Sequence, residues 1–156
     1  MKLSKLVSAA SVALLISFTS CASGPEPVWV EGEAQPASRR VLFEVTRIAF
    51  EREGFPVIAP GFDPGTRTIR SGWRTDLVPL AGHRTRGFRE RAWVKFSTGE
   101  DGGLDLEVRV EKQRNKNLAR PLDPKYADWE EAPDDLKRAR FLLQVIKGSL
   151  HVGGSA

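Results

Sequence analysis

"LDLEVRVE", residues 104–111, decides the fold class. Leu104, Leu106, Val108 and Val110 alternate with Asp105, Glu107, Arg109 and Glu111, the period-two pattern of a strand with one buried and one wetted face. Just before it, Gly99-Glu100-Asp101-Gly102-Gly103 has the composition of a hairpin loop. The preceding stretch, 88–96, puts Phe88, Ala92, Val94 and Phe96 on one side, with Glu90 as the exception. Two half-wetted strands joined by a hairpin belong to an antiparallel sheet. Further upstream, 67–74 reads as another strand in which Ile69, Ser71 and Trp73 share a face, and Val28-Trp29-Val30 reads as a short first strand.

Two helices complete the pattern. Ser38 is an N-cap, and Val41, Leu42, Val45, Ile48 and Ala49 follow at helical spacing, with Phe43 and Phe50 widening the stripe and Arg40, Glu44, Arg47 and Glu51 left to water. So wide an apolar stripe requires a sheet to lie on. Gly54 suits the left-handed C′ position, Phe55 can fold back, and Pro56 cannot continue the helix. A closing helix starts near Pro133-Asp134-Asp135, whose acids suit the helix dipole, and buries Leu136, Ala139, Leu142, Leu143 and Ile146. Gly148 is its expected stop, leaving 151–156 as a frayed tail. Between sheet and closing helix, residues 114–133 contain three prolines and no periodicity, so they are either functional or pinned by Leu118, Leu122, Tyr126 and Trp129. The expectation is a single α+β domain over 28–150. It is a two-layer β-α-β-β-β-α sandwich, an antiparallel sheet with both helices on one face.

The N-terminus carries an address. Met1-Lys2-Leu3-Ser4-Lys5 precedes an apolar stretch at 6–18, the form of a secretory signal and shorter than the roughly 20 residues that span a bilayer. The chain then turns polar and breaker-rich, Ser23-Gly24-Pro25-Glu26-Pro27, as a tether does. At the junction stands Cys21, the sole cysteine, which rules out an internal disulfide and leaves redox or zinc chemistry without partners. Phe18-Thr19-Ser20-Cys21 resembles the lipobox of bacterial lipoproteins, with Phe18 where leucine is usual. The resemblance implies that 1–20 is a signal peptide and that 21–27 is the lipidated N-terminus and tether. It implies a diacylglyceryl thioether and an amide-linked acyl chain on Cys21. One acyl chain anchors only marginally and several hold stably. Ala22, in the place of a retention aspartate, implies the outer membrane, facing the periplasm. The formal charge of +4 falls to about +2 without Lys2 and Lys5, and an exported chain of that charge is not expected to meet nucleic acid.

Arginine is the most suggestive functional feature. Arg67, Arg70, Arg74, Arg84, Arg86, Arg89, Arg91 and Lys95 face only Asp76 and Glu90 over 67–95. Strand parity sends Arg70, Arg74, Arg89, Arg91 and Lys95 to the wetted face together with Trp93. Guanidinium forks pair with carboxylate or phosphate and stack on aromatic rings, so this face suits an envelope protein partner, or else an anionic glycolipid or cell-wall glycan. The competing reading is cross-strand neutralisation by Asp105, Glu107 and Glu111. The acids Asp128, Glu130, Glu131, Asp134 and Asp135 read as helix-start charge and solubility rather than metal ligands. His83 and His151 have no sequence-local carboxylate or nucleophile partner, and the 82–87 loop is followed by a strand, unlike a phosphate cradle. No catalytic signature, metal site or cofactor is expected.

The run from helix through Gly54-Phe55 to Gly65, Ile69, Ser71 and Trp73 resembles the helix-grip theme of small envelope lipoproteins, such as the repeated domain of lipoprotein C of the β-barrel assembly machinery. The lipoprotein of lipopolysaccharide transport is similar in architecture. Either resemblance implies a non-catalytic scaffold. Replacing the thiol, Cys21→Ser, is expected to shift the protein from the membrane to the soluble periplasmic fraction on immunoblots; retention in the membrane would refute the lipid anchor.

Overall fold

The computed structural model describes residues 24–58, 61–63, 65, 67–76, 87–121 and 123–153. The expected signal segment, Cys21, His83, Arg84, Arg86, Leu122 and the last three residues lie outside them. The centre of the fold is the hairpin of β5 (Phe88–Thr98) and β6 (Leu104–Asn115), paired from Phe88 opposite Arg114 to Thr98 opposite Leu104. Its loop closes as the composition demands: Gly99 N donates to Gly103 O at 3.0 Å, and Gly103 N donates to Asp101 Oδ1 at 2.9 Å. β1 (Val30–Ala34) flanks β6 with Val30 opposite Val108, so the first strand starts where 28–30 was expected to end. On the other side β3 (Thr68–Arg70) pairs with β5 and β2 (Phe62–Asp63) with β3. β4 (Arg74–Asp76) continues along β5, and β7 (Trp129–Ala132) along β6. Every pairing is antiparallel.

Both helices cover one face, giving the expected two-layer α+β sandwich. α1 (Arg39–Arg52) begins at Ser38, whose hydroxyl accepts from Val41 N at 3.3 Å. It ends in the expected way: Gly54 has φ 74°, Gly54 N donates to Glu51 O at 3.0 Å and Phe55 N to Phe50 O at 2.8 Å. That pair of bonds is a Schellman closure, and it folds the Phe55 ring to 6.1 Å from Phe50 in the core. The buried stripe of α1 is narrower than its apolar pattern. Leu42, Thr46, Ala49 and Phe50 face inward, while Val41 and Ile48 are 40% and 53% exposed. The reason is geometric: the stripe at i, i+4, i+7 and i+8 packs against α2 and joins one core cluster with the inner residues of the sheet, and the outer flank of the helix stays exposed.

α2 (Leu136–Gly153) is capped by Asp135, whose Oδ1 accepts from Arg138 N at 2.9 Å. Ala139, Leu142, Leu143 and Ile146 are buried as expected, and Leu136 is half-buried. The expected stop at Gly148 does not occur. Leu150, two residues on, is 3% exposed, and burying a leucine is worth about 1.5–3 kcal/mol against roughly 1 kcal/mol for a mid-helix glycine. Residues 151–153 are therefore helical rather than tail. Among the described residues no helix is long and apolar enough to cross a membrane.

The connection after β6 is not irregular throughout, and neither Leu118 nor Tyr126 pins it. It contains one 3₁₀ turn, Pro124–Tyr126, and the unexpected β7; Leu118 and Tyr126 remain 66% and 45% exposed. Asparagine does the pinning. Asn115, fully buried, donates from Nδ2 to Pro121 O at 3.1 Å and accepts at Oδ1 from Asn117 N and Asp128 N, both at 3.0 Å. Asn117 donates to Tyr126 O at 2.8 Å and accepts from Ala119 N and Arg120 N. Asn115→Ala would strand those backbone groups away from water. A loss of about 2–4 kcal/mol in urea unfolding is expected, at 1–3 kcal/mol per unsatisfied group.

Candidate functional site

β3 and β4 lie on the same edge of β5 in two different registers: Arg70 is opposite Trp93, whereas Arg74 is opposite Glu90. Residues 71–73 thus face only residues 91 and 92, which is a β-bulge of one extra residue. Ser71 holds it closed. Its N–H donates to Ala92 O at 3.0 Å, and its hydroxyl accepts from Ala92 N at 2.9 Å in the place of a ladder carbonyl. Gly72 turns its own N–H away, to Pro56 O at 2.7 Å, and a Cβ there would press to 3.3 Å on both Pro56 and Ile58.

The extra residue reverses the alternation downstream. Trp73, expected to share a face with Ile69 and Ser71, lies on the outer face; Arg74, expected on the wetted face, lies on the helix side. There the Arg74 Nη1 donates to Glu53 O at 2.8 Å and the guanidinium sits 5.9 Å from the Phe55 ring centroid, serving the carbonyl end of α1. Opposite Arg74, the exceptional Glu90 points inward at 1% exposure, 3.5 Å from Lys112 Nζ and 3.6 Å from Arg138 Nη1. Arg74 is therefore part-buried on the helix side of the sheet and not on the face that carries Arg89 and Arg91.

The outer face brings the remaining expected residues together. Arg91 stacks between Trp73 at 4.3 Å and Trp93 at 4.7 Å, and Arg70 lies over Trp93 at 5.3 Å. Arg89 stands over Trp73 at 4.4 Å and Trp129 at 4.7 Å, and Lys95 Nζ over Trp29 at 3.7 Å. All four tryptophans of the chain therefore interleave with cations in one layer. Desolvated cation–π contacts are worth up to about 2 kcal/mol each, and stacking spares an arginine its rotamer entropy in any later contact.

Charge on this face is mostly neutralised. Glu111 Oε2 accepts from Arg91 Nε at 3.0 Å, Arg91 Nη2 at 2.7 Å and Trp93 Nε1 at 2.9 Å. Glu107 pairs with Lys95 at 3.3 Å, and Arg109 forks onto Asp134 at 2.7 and 3.2 Å. Two of the three expected acidic partners, Glu107 and Glu111, thus act as the competing reading requires; Asp105 lies opposite Ser97, at the hairpin end. Arg89 differs. It donates from Nε to Gln113 Oε1 at 2.8 Å and has no carboxylate within ion-pair distance among the described residues. Burial lowers its pKa from the ordinary value, and the neighbouring Arg91 adds to that, with Glu111 pulling the other way.

Trp129 lies on the connection expected to be functional or pinned, whereas Trp73, Trp29 and Gln113 were not read from the sequence as part of this face. A Ser71-Gly72 pair inside an alternating strand was the available signal for Trp73, since glycine within a strand marks a bulge. The acidic run is also redistributed: Asp128 pairs with Lys116 and Glu130 with Arg114 across the β6–β7 edge, leaving only Asp134 and Asp135 at the start of α2. Among the described residues no three His, Cys, Asp or Glu side chains converge as a metal site would need, and His151 lies exposed on α2. Compared by sequence, the chain matches no family model and, at a significant level, no curated protein. Glu111→Ala would leave the Arg91 fork and the Trp93 indole without their shared acceptor. A loss of about 2–3 kcal/mol in urea unfolding, with altered tryptophan emission, is the expected outcome.

Proposed function

We propose that the chain is an outer-membrane lipoprotein facing the periplasm, anchored through Cys21. In this reading its outer sheet face binds an envelope protein partner as a non-catalytic module of envelope assembly or maintenance. The address rests on the lipobox resemblance at residues 18–21. The binding role is supported above all by Arg89, a guanidinium set between two tryptophan rings without a carboxylate of its own among the described residues. Arginine and tryptophan, pre-positioned and partly desolvated, are the residue types that dominate protein interfaces. Arg70, Arg91, Trp93 and Lys95 form the surround, with most of their charge already balanced.

An acidic side chain of a partner would complete Arg89 with a forked, charge-assisted pair. Flat stacking of a neutral sugar is a poorer fit, because cations already occupy faces of all four tryptophan rings. An anionic glycolipid headgroup could use the same guanidinium and is distinguished by experiment. Crosslinking of the membrane-bound protein followed by pull-down should lose its partner by about tenfold in Arg89→Glu, the scale of an interface hot spot. The exposed helix variant Lys137→Glu should keep it. Unchanged partners in Arg89→Glu, with an unchanged melting temperature, would remove the outer face from the account. Loss of lipopolysaccharide binding by the purified chain, without any protein partner, would favour the glycolipid.

A further inference from the structure

The chain before β1 runs in a definite direction. Val28 N donates to Asp134 Oδ2 at 2.8 Å, and the backbone of Gly24 abuts the Glu131 carboxylate, where a Cβ would overlap Oε2. From residue 28 back to residue 24 it therefore follows β7 from its far end toward Trp129. Cys21 is three residues beyond Gly24, at most about 11 Å of chain. Gly24, three residues from Cys21 in sequence, and the loop that opens from Asn115 and Trp129 thus lie toward the same end of the domain. The 99–103 hairpin is at the other, roughly 40 Å away along the twelve residues of β6.

That loop has the surface a bilayer takes. Leu118 is 66% exposed at the apex of a turn built by Asn117, whose Oδ1 accepts from Ala119 N at 3.1 Å and Arg120 N at 3.2 Å. The Tyr126 ring is 45% exposed and carries Arg120 at 4.2 Å and Lys125 at 5.7 Å. Lys116, Arg120 and Lys125 stand against Asp123 and Asp128 within residues 116–128, with Lys116 paired to Asp128, so Arg120 and Lys125 are the cations at the Tyr126 ring. The Asn115 and Asn117 bonds hold 117–121 and 126–128 in place. An apex leucine, an amphipathic tyrosine and flanking cations on a rigid turn match the interfacial region of an anionic bilayer.

We propose that Leu118, Arg120, Lys125 and Tyr126, on the loop after β6, form a second membrane contact, seated in an anionic lipid surface beside the Cys21 anchor. The contact stands β5 and β6 end-on to the bilayer and leaves the arginine–tryptophan face open sideways to a partner. The proposal rests on the lipid-anchor reading, and its test separates the two. Cys21 is the only cysteine, so once it is acylated Leu118→Cys supplies a single free thiol for an environment-sensitive fluorophore, and Glu100→Cys supplies the hairpin-end control. The full-length protein, purified from membranes, is placed in phosphatidylethanolamine–phosphatidylglycerol vesicles containing brominated lipid. Quenching at position 118 should exceed that at position 100 by about twofold or more, since the bromines lie within the acyl region that an interfacial side chain reaches. Equal quenching at the two sites in protein whose intact mass shows the lipid would overturn the loop contact alone. An intact mass with an unmodified Cys21 would overturn the anchor and the loop contact with it.

Discussion

The β5–β6 ladder is the constraint on which the rest depends. Both strands alternate, and the register from Phe88 opposite Arg114 to Thr98 opposite Leu104 puts like with like: Ala92 on Val110, Val94 on Val108 and Phe96 on Leu106 inside, Arg91 on Glu111 and Lys95 on Glu107 outside. A slip of one residue would send each strand's apolar set to water, so the buried faces lock the register and the register in turn aligns the charges. α1 and α2 close the inner side, and the outer side is left as the one broad surface with organised chemistry.

On that surface the charged groups and the rings are parts of a single object. Glu111 gathers Arg91 and Trp93 through one oxygen, Arg91 and Arg89 hold Trp73 between them in sequence along the sheet, and Trp129 comes in from β7 and Trp29 from the residue before β1, both on the far side of β6. Such a layer has little conformational freedom left to lose on binding, which lowers the entropic cost of engaging a partner. The inner face shows the opposite use of the same residue types. There Lys112 and Arg138 stand 3.5 and 3.6 Å from the buried Glu90, a costly arrangement offset by opposite charge, while Arg74, opposite Glu90 in register, donates to the carbonyl end of α1.

The division between those two uses turns on one residue. Without the extra position at Ser71-Gly72, Trp73 would sit among the core residues and Arg74 beside Arg89 on the outer face. With it, Arg91 gains a second ring and α1 gains a C-terminal donor. The loop after β6 depends similarly on Asn115, a residue of outward parity that the folded loop has covered completely.

Much of this molecule was legible from local chemistry. The alternation at 104–111, the glycine-rich hairpin, the Ser38 cap and the Gly54-Phe55 closure are set by neighbouring residues, so the α+β class, the antiparallel sheet and the start and stop of α1 followed from the chain alone. The outward placement of Arg70, Arg89, Arg91, Trp93 and Lys95 followed too, because period two carries across an uninterrupted strand. What needed the tertiary structure was whatever depends on partners distant in sequence. Arg74 changed sides through a bulge defined only against β5, and β7 exists only because β6 is there to pair with it. α2 passed Gly148 because the core had room for Leu150. Periodicity reports which way a side chain leaves its own backbone; which elements stand opposite, and whether the count between them is even, is fixed only when the layers meet.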